Sequence, residues 1–395
     1  MAKRIYSLPK TGQLTGDQRR VLRLKKDGQY LVVGSPGTGK SVVALLRAKK
    51  IVDDDVLFLT FNHVLSHSTT QLFEDKINVQ TAMSWFYSLW WKLVDGKAET
   101  FHEDKMPERD SYKPNYDVVS ERFKQLQLDY SKLHIVIDEG QDLPPEWYDC
   151  LLELGCENFF IVADQNQQIT EENSTQLDLM ATLGLESNRQ VVKLTENFRN
   201  STPITIFANT FYTDRTSPEP VIPDRPSIYT PILYEYSTID KIPEMILAEY
   251  DIDPSKLIGF IVPTENKREW YVKKLSNDPV PRNNPNPVVS TYSESQKGDV
   301  DIDFSYGGIV VLNDKSVKGI EFDTVFIIID DFKVVNNDME SLKKRFYVMS
   351  SRAREKLFLF KSSLRPSVVD DILPSPGETF SYGNKNEEIL KRRKL

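Results

Sequence analysis

The chain has 395 residues, 39% hydrophobic and 27% charged, with a formal net charge of −8, which predicts two or three globular domains. No apolar run reaches the roughly 18 residues of a spanning helix, and the opening "MAKRIYSLPK" has no apolar signal core, so a cytoplasmic place without membrane or secretion is expected. Two cysteines, Cys150 and Cys156, and four scattered histidines offer neither a disulfide framework nor a zinc pattern, and buried free thiols are expected.

In chain order, short apolar strands recur, most of them followed by a helical pattern. "YLVV" (30–33), "VLFLTF" (56–61), "HIVID" (134–138), "FFIVAD" (159–164) and "VVKLT" (191–195) form one series. "LIGFIVP" (257–263), "GIVVLN" (308–313), "TVFIIID" (324–330) and "KLFLF" (356–360) form a second. Strands this apolar belong in parallel sheets covered on both faces. The prediction is an α/β chain with two tandem units on parallel sheets, residues 1–192 and 193–395. "SWFYSLWWKLV" (84–94) reads as an amphipathic helix whose Trp85, Trp90 and Trp91 either pack on the core or stack bases. The Pro-rich stretches 216–231 and 278–287 read as loops, with short excursions between them. The closing "KRRKL" reads as a frayed tail.

Charge is unevenly spread. Residues 1–50 hold 12 Lys/Arg against two acidic residues, and residues 343–395 hold 13 against six, which leaves an acidic middle. Basic ends allow a local groove for a polyanion, and solvated helix faces give the same pattern.

The chemistry begins at "GSPGTGKS" (34–41), which follows the first strand and opens a helical pattern over 41–52. Gly34, Ser35, Pro36, Gly37, Thr38 and Gly39 form a loop whose backbone N–H groups can cradle phosphates. Lys40 then reaches the β- and γ-phosphates, and the Ser41 hydroxyl becomes a Mg²⁺ ligand. The second stretch is "HIVIDEGQDLPPEWYDCLLEL" (134–154). It sets Asp138 and Glu139 at the carboxyl end of a strand, where open α/β sheets bind ligands. Asp138 suits Mg²⁺, and Glu139 suits activation of a water for phosphoryl transfer. Pro144 and Pro145 suit a helix start and Gly155 its end.

"IDEGQDLPPEWY" resembles motif II of the UvrD/Rep-like superfamily 1 DNA helicases, usually D-E-x-Q-D. Other stretches resemble that family's motifs in order. "LTGDQRRVL" (14–22) resembles the Q motif, with Gln18 at the adenine edge. "LFLTFNHVL" (57–65) resembles motif Ia and "VQTAMSWF" (79–86) motif Ib. "VADQNQQI" (162–169) resembles motif III, with Asp164 and Gln167 in its G-D-x-x-Q and Ala163 in place of the usual glycine. "LTENFRN" (194–200) resembles motif IV, with Phe198 stacking on adenine and Arg199 on the γ-phosphate. "KSVKGIEFDTVFI" (315–327) resembles motif V through Lys318, Gly319 and Glu321, and "FYVMSSRAREKLFL" (346–359) resembles motif VI through Arg352.

The resemblance implies two RecA-like units with ATP and Mg²⁺ in the cleft between them. Lys40, Ser41, Asp138, Glu139 and Gln167 would come from the first, and Arg199 and Arg352 from the second as arginine fingers. It further implies 3′-to-5′ movement on single-stranded DNA, with RNA not excluded. Thr60, Phe61, Asn62 and Trp85 are the expected contacts in the first unit. Only about 47 residues (87–133) separate motif Ib from motif II, so the family's large accessory insertions look reduced. The chain is thus similar to short UvrD-like ATPases that work beside a nuclease or within a repair or defence complex. The alternative is an ATPase switch that controls a partner effector without unwinding duplex. A nucleotide kinase or GTPase is disfavoured by D-E-x-Q-D and by the lack of a guanine-reading N-K-x-D.

Overall fold

The computed structural model describes residues 8–52, 54–60, 77–94, 106–110, 113–164, 174–186, 189–213, 221–277, 284–292, 306–314, 316–334, 338–382 and 385–395. The chain divides into two compact units, Ser7–Thr195 and Glu196–Leu395, each built on its own large parallel sheet.

In the first unit the sheet strands are β1 (Gln29–Gly34), β2 (Val56–Thr60), β3 (Asn78–Thr81), β6 (His134–Ile137), β7 (Asn158–Ala163) and β8 (Val191–Leu194). A two-strand ribbon, β4 (Glu108–Asp110) with β5 (Lys113–Pro114), lies apart from them. The sheet order is β3-β2-β6-β7-β1-β8, parallel throughout. The expected apolar runs reappear here as strands buried on both faces. Side chains alternate along a strand, so Leu31, Val33, Ile135, Ile137, Phe159 and Ile161 enter one core. Val32, Val136, Phe160 and Val162 enter the other.

Helices cover these faces. α1 (Gly16–Leu22) and α2 (Lys40–Lys50) are joined by α3 (Ala82–Leu93), α4 (Tyr116–Leu126), α5 (Pro145–Glu153) and α6 (Gln176–Thr182). α3 buries Ala82, Phe86, Leu89, Trp90 and Leu93, residues at helical spacing. Within 87–133, α4 sends Val119 and Phe123 into the same core, so this helix belongs to the sheet's covering layer. Cys150 and Cys156 are buried free thiols, and burial pushes each up to about 12.

The second unit contains β9 (Ile232–Tyr236), β10 (Leu257–Val262), β11 (Val289–Tyr292), β12 (Gly308–Asn313), β13 (Phe322–Ile328) and β14 (Ala353–Ser362). A ribbon of β15 (Thr379–Tyr382) and β16 (Lys385–Glu388) precedes β17 (Lys391–Lys394). The large sheet runs β11-β12-β10-β13-β14-β9-β17, again parallel in its pairings. Its helices are α7 (Thr202–Asn209), α8 (Lys241–Ile252), α9 (Glu265–Ser276) and α10 (Met339–Ser350). Phe326 and Phe360 stack in its core with ring centroids 5.7 Å apart.

Two expectations are corrected here. The residues between the Pro-rich stretches are not mere excursions, because besides the expected strand at 257–263, now β10, they supply β9, also inside the sheet. Nor is "KRRKL" a frayed tail. β17 pairs with β9 from Lys391–Ile232 to Lys394–Glu235, and the buried Ile389 and Leu390 anchor its approach. Its strand character comes from backbone pairing, which a basic side-chain pattern does not reveal.

Candidate active site

The phosphate-loop residues lie between the end of β1 and the start of α2. Gly39 has φ +83°, a left-handed conformation that side chains resist, and a Cβ there would meet Gln18 Nε2 at 2.5 Å. At Gly34 a Cβ would meet Thr38 Oγ1 at 2.5 Å. Thr38 Oγ1 instead donates to the Ser35 carbonyl at 2.8 Å, closing the turn. α2 begins at Lys40 and offers its N-terminal N–H groups to the loop. Lys40 is buried, and Nζ donates to Gly34 O at 2.8 Å, Ser35 O at 3.1 Å and Asp164 Oδ2 at 3.0 Å. An ammonium has three protons, so these contacts occupy all of them.

Asp138 and Glu139 follow β6 and are both buried. Burial and the neighbouring Glu139 charge push the Asp138 carboxyl up to about 7, against the pull of the Ser41 hydroxyl and Lys40. The Ser41–Asp138 hydrogen bond brings together two hard oxygen donors. A carboxyl held near neutrality by burial and a like charge is one that a divalent cation would ionise. Mg²⁺ commonly takes one or two protein oxygens and completes its shell with water and phosphate. These residues therefore fit ATP–Mg²⁺. Among the described residues no group of three or more His, Cys, Asp or Glu could hold a metal. Glu139 has φ +60° and ψ 42°, left-handed for a non-glycine residue. Gln141 donates to Glu139 Oε2 at 2.7 Å and accepts from the Asp164 N–H at 2.9 Å.

In the second unit, three separated stretches converge by backbone bonding. Asn200 Nδ2 donates to Ser351 O at 2.9 Å and also to Ala353 O. Ser201 N donates to Arg354 O, and Phe322 N to Arg352 O, each at 3.0 Å. Arg199 Nη2 lies 2.5 Å from Glu321 Oε1. Nε and Nη1 of Arg199 are buried without a hydrogen-bond partner among the described residues. Burial works to raise the Glu321 carboxyl, but Arg199, Arg354 and Arg352 hold it below its ordinary value. Arg352 is itself buried, with Nε donating to Val348 O at 3.2 Å. Phe198, next to Arg199 in the chain, is 50% exposed.

Several expected residues sit differently. Gln18 is buried at the loop with its amide engaged at both ends. Oε1 accepts from Thr15 N at 3.1 Å and Nε2 donates to Thr38 O at 3.0 Å. It caps α1 and props the loop, and would read an adenine edge only by exchanging those bonds. Thr60 is buried at the end of β2, away from any surface. Trp85 is half-buried on the core and meets Trp147 edge-on with centroids 6.3 Å apart. Phe61, Asn62 and Gln167 lie outside the described residues. The pairing of Asp164 with Lys40 and the bridging by Gln141 were not foreseen. The strand order would have revealed the first, since β7 lies between β6 and β1.

Among solved structures, the chain is matched to the C-terminal domain of a possible DNA helicase from Lactobacillus plantarum WCFS1. That match has 16% identity and a TM-score of 0.32, covering 49% of this chain and 98% of the other. At that score the likeness does not establish a shared fold. No curated protein matches the chain. Residues 18–173 match the family model of the AAA domain, a span that takes in the phosphate loop, Asp138, Glu139 and Asp164.

Proposed function

We propose that this chain hydrolyses ATP and couples turnover to 3′-to-5′ movement on single-stranded DNA, alone or beside a nuclease in a repair or defence assembly. One observation carries the hydrolytic part. Lys40, Ser41, Asp138, Glu139 and Asp164 are drawn together at the carboxyl ends of three adjacent strands, β6, β7 and β1. The match of residues 18–173 to the AAA domain supports nucleotide binding. The DNA part rests on the ordered resemblance to UvrD/Rep-like motifs.

In this reading Gly34 to Gly39 wrap the phosphates, and Lys40 leaves Asp164 for the β- and γ-oxygens. Ser41 and Asp138 would hold Mg²⁺, which would supply electrostatic stabilisation of the transferring phosphoryl group. Glu139 orients the attacking water and takes its proton. Arg199 and Arg352 supply guanidinium groups for the transition-state charge, and Phe198 stacks on the base. The two unpartnered nitrogens of Arg199 suit that role, because a buried donor without an acceptor is costly unless an anion arrives.

The test is ATP hydrolysis with and without single-stranded DNA, single-stranded RNA and duplex, beside a strand-displacement assay. Stimulation by single strands that weakens steeply with salt is expected. Hydrolysis unaffected by any nucleic acid would overturn the translocase and leave an ATPase switch. Lys40→Ala and Glu139→Gln should each abolish turnover, the second while retaining ATP binding. Normal hydrolysis by Glu139→Gln would remove Glu139 from its role.

A further inference from the structure

Gln141 is fully buried two residues beyond Glu139, and its amide bridges two strands' ends. Oε1 accepts the Asp164 N–H at 2.9 Å, and Nε2 donates to Glu139 Oε2 at 2.7 Å. This polarity is fixed by chemistry. A backbone N–H can only donate, so the amide oxygen faces Asp164 and the NH₂ faces the carboxylate.

The surrounding turn holds the amide in place. The Tyr148 hydroxyl donates to Gly140 O at 2.7 Å, and a Cβ on Gly140 would come within 2.3 Å of Ile161 Cγ2. Glu139 sits in a left-handed conformation that is strained for a non-glycine residue and persists only where neighbours over-determine it. At the far end of the bridge, the Asp164 side chain holds Lys40.

We infer that Gln141 is a positioning residue for hydrolysis, fixing the plane of the Glu139 carboxylate and tying it, through Asp164, to the group that holds the phosphate-loop lysine. The inference rests on the ATPase reading above. Glutamine meets the requirement at this position, a donor and an acceptor at full side-chain length. Asparagine is too short to span both partners. Glutamate would set carboxylate against carboxylate, and methionine has the length without donor or acceptor. When a phosphate draws Lys40 from Asp164, the charge changes at one end of this bridge while the general base stands at the other.

The experiment uses the full chain with Gln141→Met and, as a second variant, Gln141→Glu. kcat and KM for ATP are measured beside the dissociation constant of a fluorescent ADP analogue and the melting temperature. Both variants should lose about 10²-fold in kcat, the scale of a roughly 1 Å misplacement. KM and ADP affinity should stay within about twofold, because only an interaction specific to the transition state is lost. An active wild type whose Gln141→Met variant turns over normally overturns this inference alone. So do variants that both fail to bind ADP, which would make Gln141 merely structural. A wild type that hydrolyses no ATP overturns the ATPase reading and this inference with it.

Discussion

Lys40 Nζ and Asp164 Oδ2 lie 3.0 Å apart, both side chains buried, so the lysine expected on a triphosphate is already paired within its own unit. Any phosphate must compete with a carboxylate for it. Asp164→Asn should weaken that competition and leave the ligand-free protein less stable by about 1–3 kcal/mol, the worth of a hydrogen bond to a charged group. Thermal melts without ligand and with saturating Mg²⁺–ADP should show a lower ligand-free midpoint and a wider gap between the two. A narrower gap would mean that Asp164 serves the bound nucleotide instead.

The phosphate loop and the Asp138–Glu139 pair were legible in the sequence because their residue types answer local demands. Glycines free the backbone, and carboxylates end an apolar strand. The sheet strands were legible because burial on both faces makes them continuously apolar. The Lys40–Asp164 contact was hidden, since it depends on β7 lying between β6 and β1. The engagement of Gln18 was hidden for a related reason: its partner Thr38 is 20 residues away and offers only a backbone carbonyl. β9 and β17 were missed because one is a short, only partly buried run beside a Pro-rich stretch and the other is wholly basic.

Arg199 offers a second prediction. Its Nη2 is held by Glu321, while Nε and Nη1 are buried without a partner among the described residues. If those donors await the γ-phosphate, Arg199→Ala should cut hydrolysis by about 10³–10⁵-fold and leave ADP affinity nearly unchanged. Glu321→Gln should have a smaller effect, because it removes an anchor and keeps the guanidinium. Steady-state kinetics with parallel ADP titrations check both, and an Arg199→Ala variant that turns over like wild type removes the arginine from the mechanism.

Asp138 makes stability depend on pH in a defined direction. Burial and Glu139 raise its carboxyl from 3.8 to about 7, so between those values the native state holds a proton that the unfolded state has released. The slope of stability with pH is then negative. The contribution is whole at low pH and is lost as pH rises through about 7. Each unit of displacement is worth about 1.4 kcal/mol, or several degrees of melting temperature. Without divalent cations, the melting midpoint should fall more steeply as pH rises from 3.8 to about 7 in wild type than in Asp138→Asn. Mg²⁺ should flatten the wild-type curve, because it favours the ionised carboxylate. Identical slopes in the two proteins would place the raised affinity elsewhere.

The last prediction concerns β17. Lys391 to Lys394 lie in register with Ile232 to Glu235, Lys391 N donates to Pro231 O at 3.0 Å, and Leu395 N donates to Glu235 O at 2.9 Å. Leu395 also packs on the core of the second unit. Removing residues 391–395 would strip β9 of one neighbour and expose its edge. With backbone bonds worth about 1 kcal/mol each net, the deletion should destabilise the second unit by a few kcal/mol. Limited proteolysis and thermal melting of the shortened chain check this. A freely frayed tail would leave both unchanged, whereas a strand that completes the sheet gives a lower midpoint and earlier cleavage in Glu196–Leu395. Lys391→Pro gives the same reading without shortening the chain, since proline deletes the donor to Pro231 and leaves Leu395 in place.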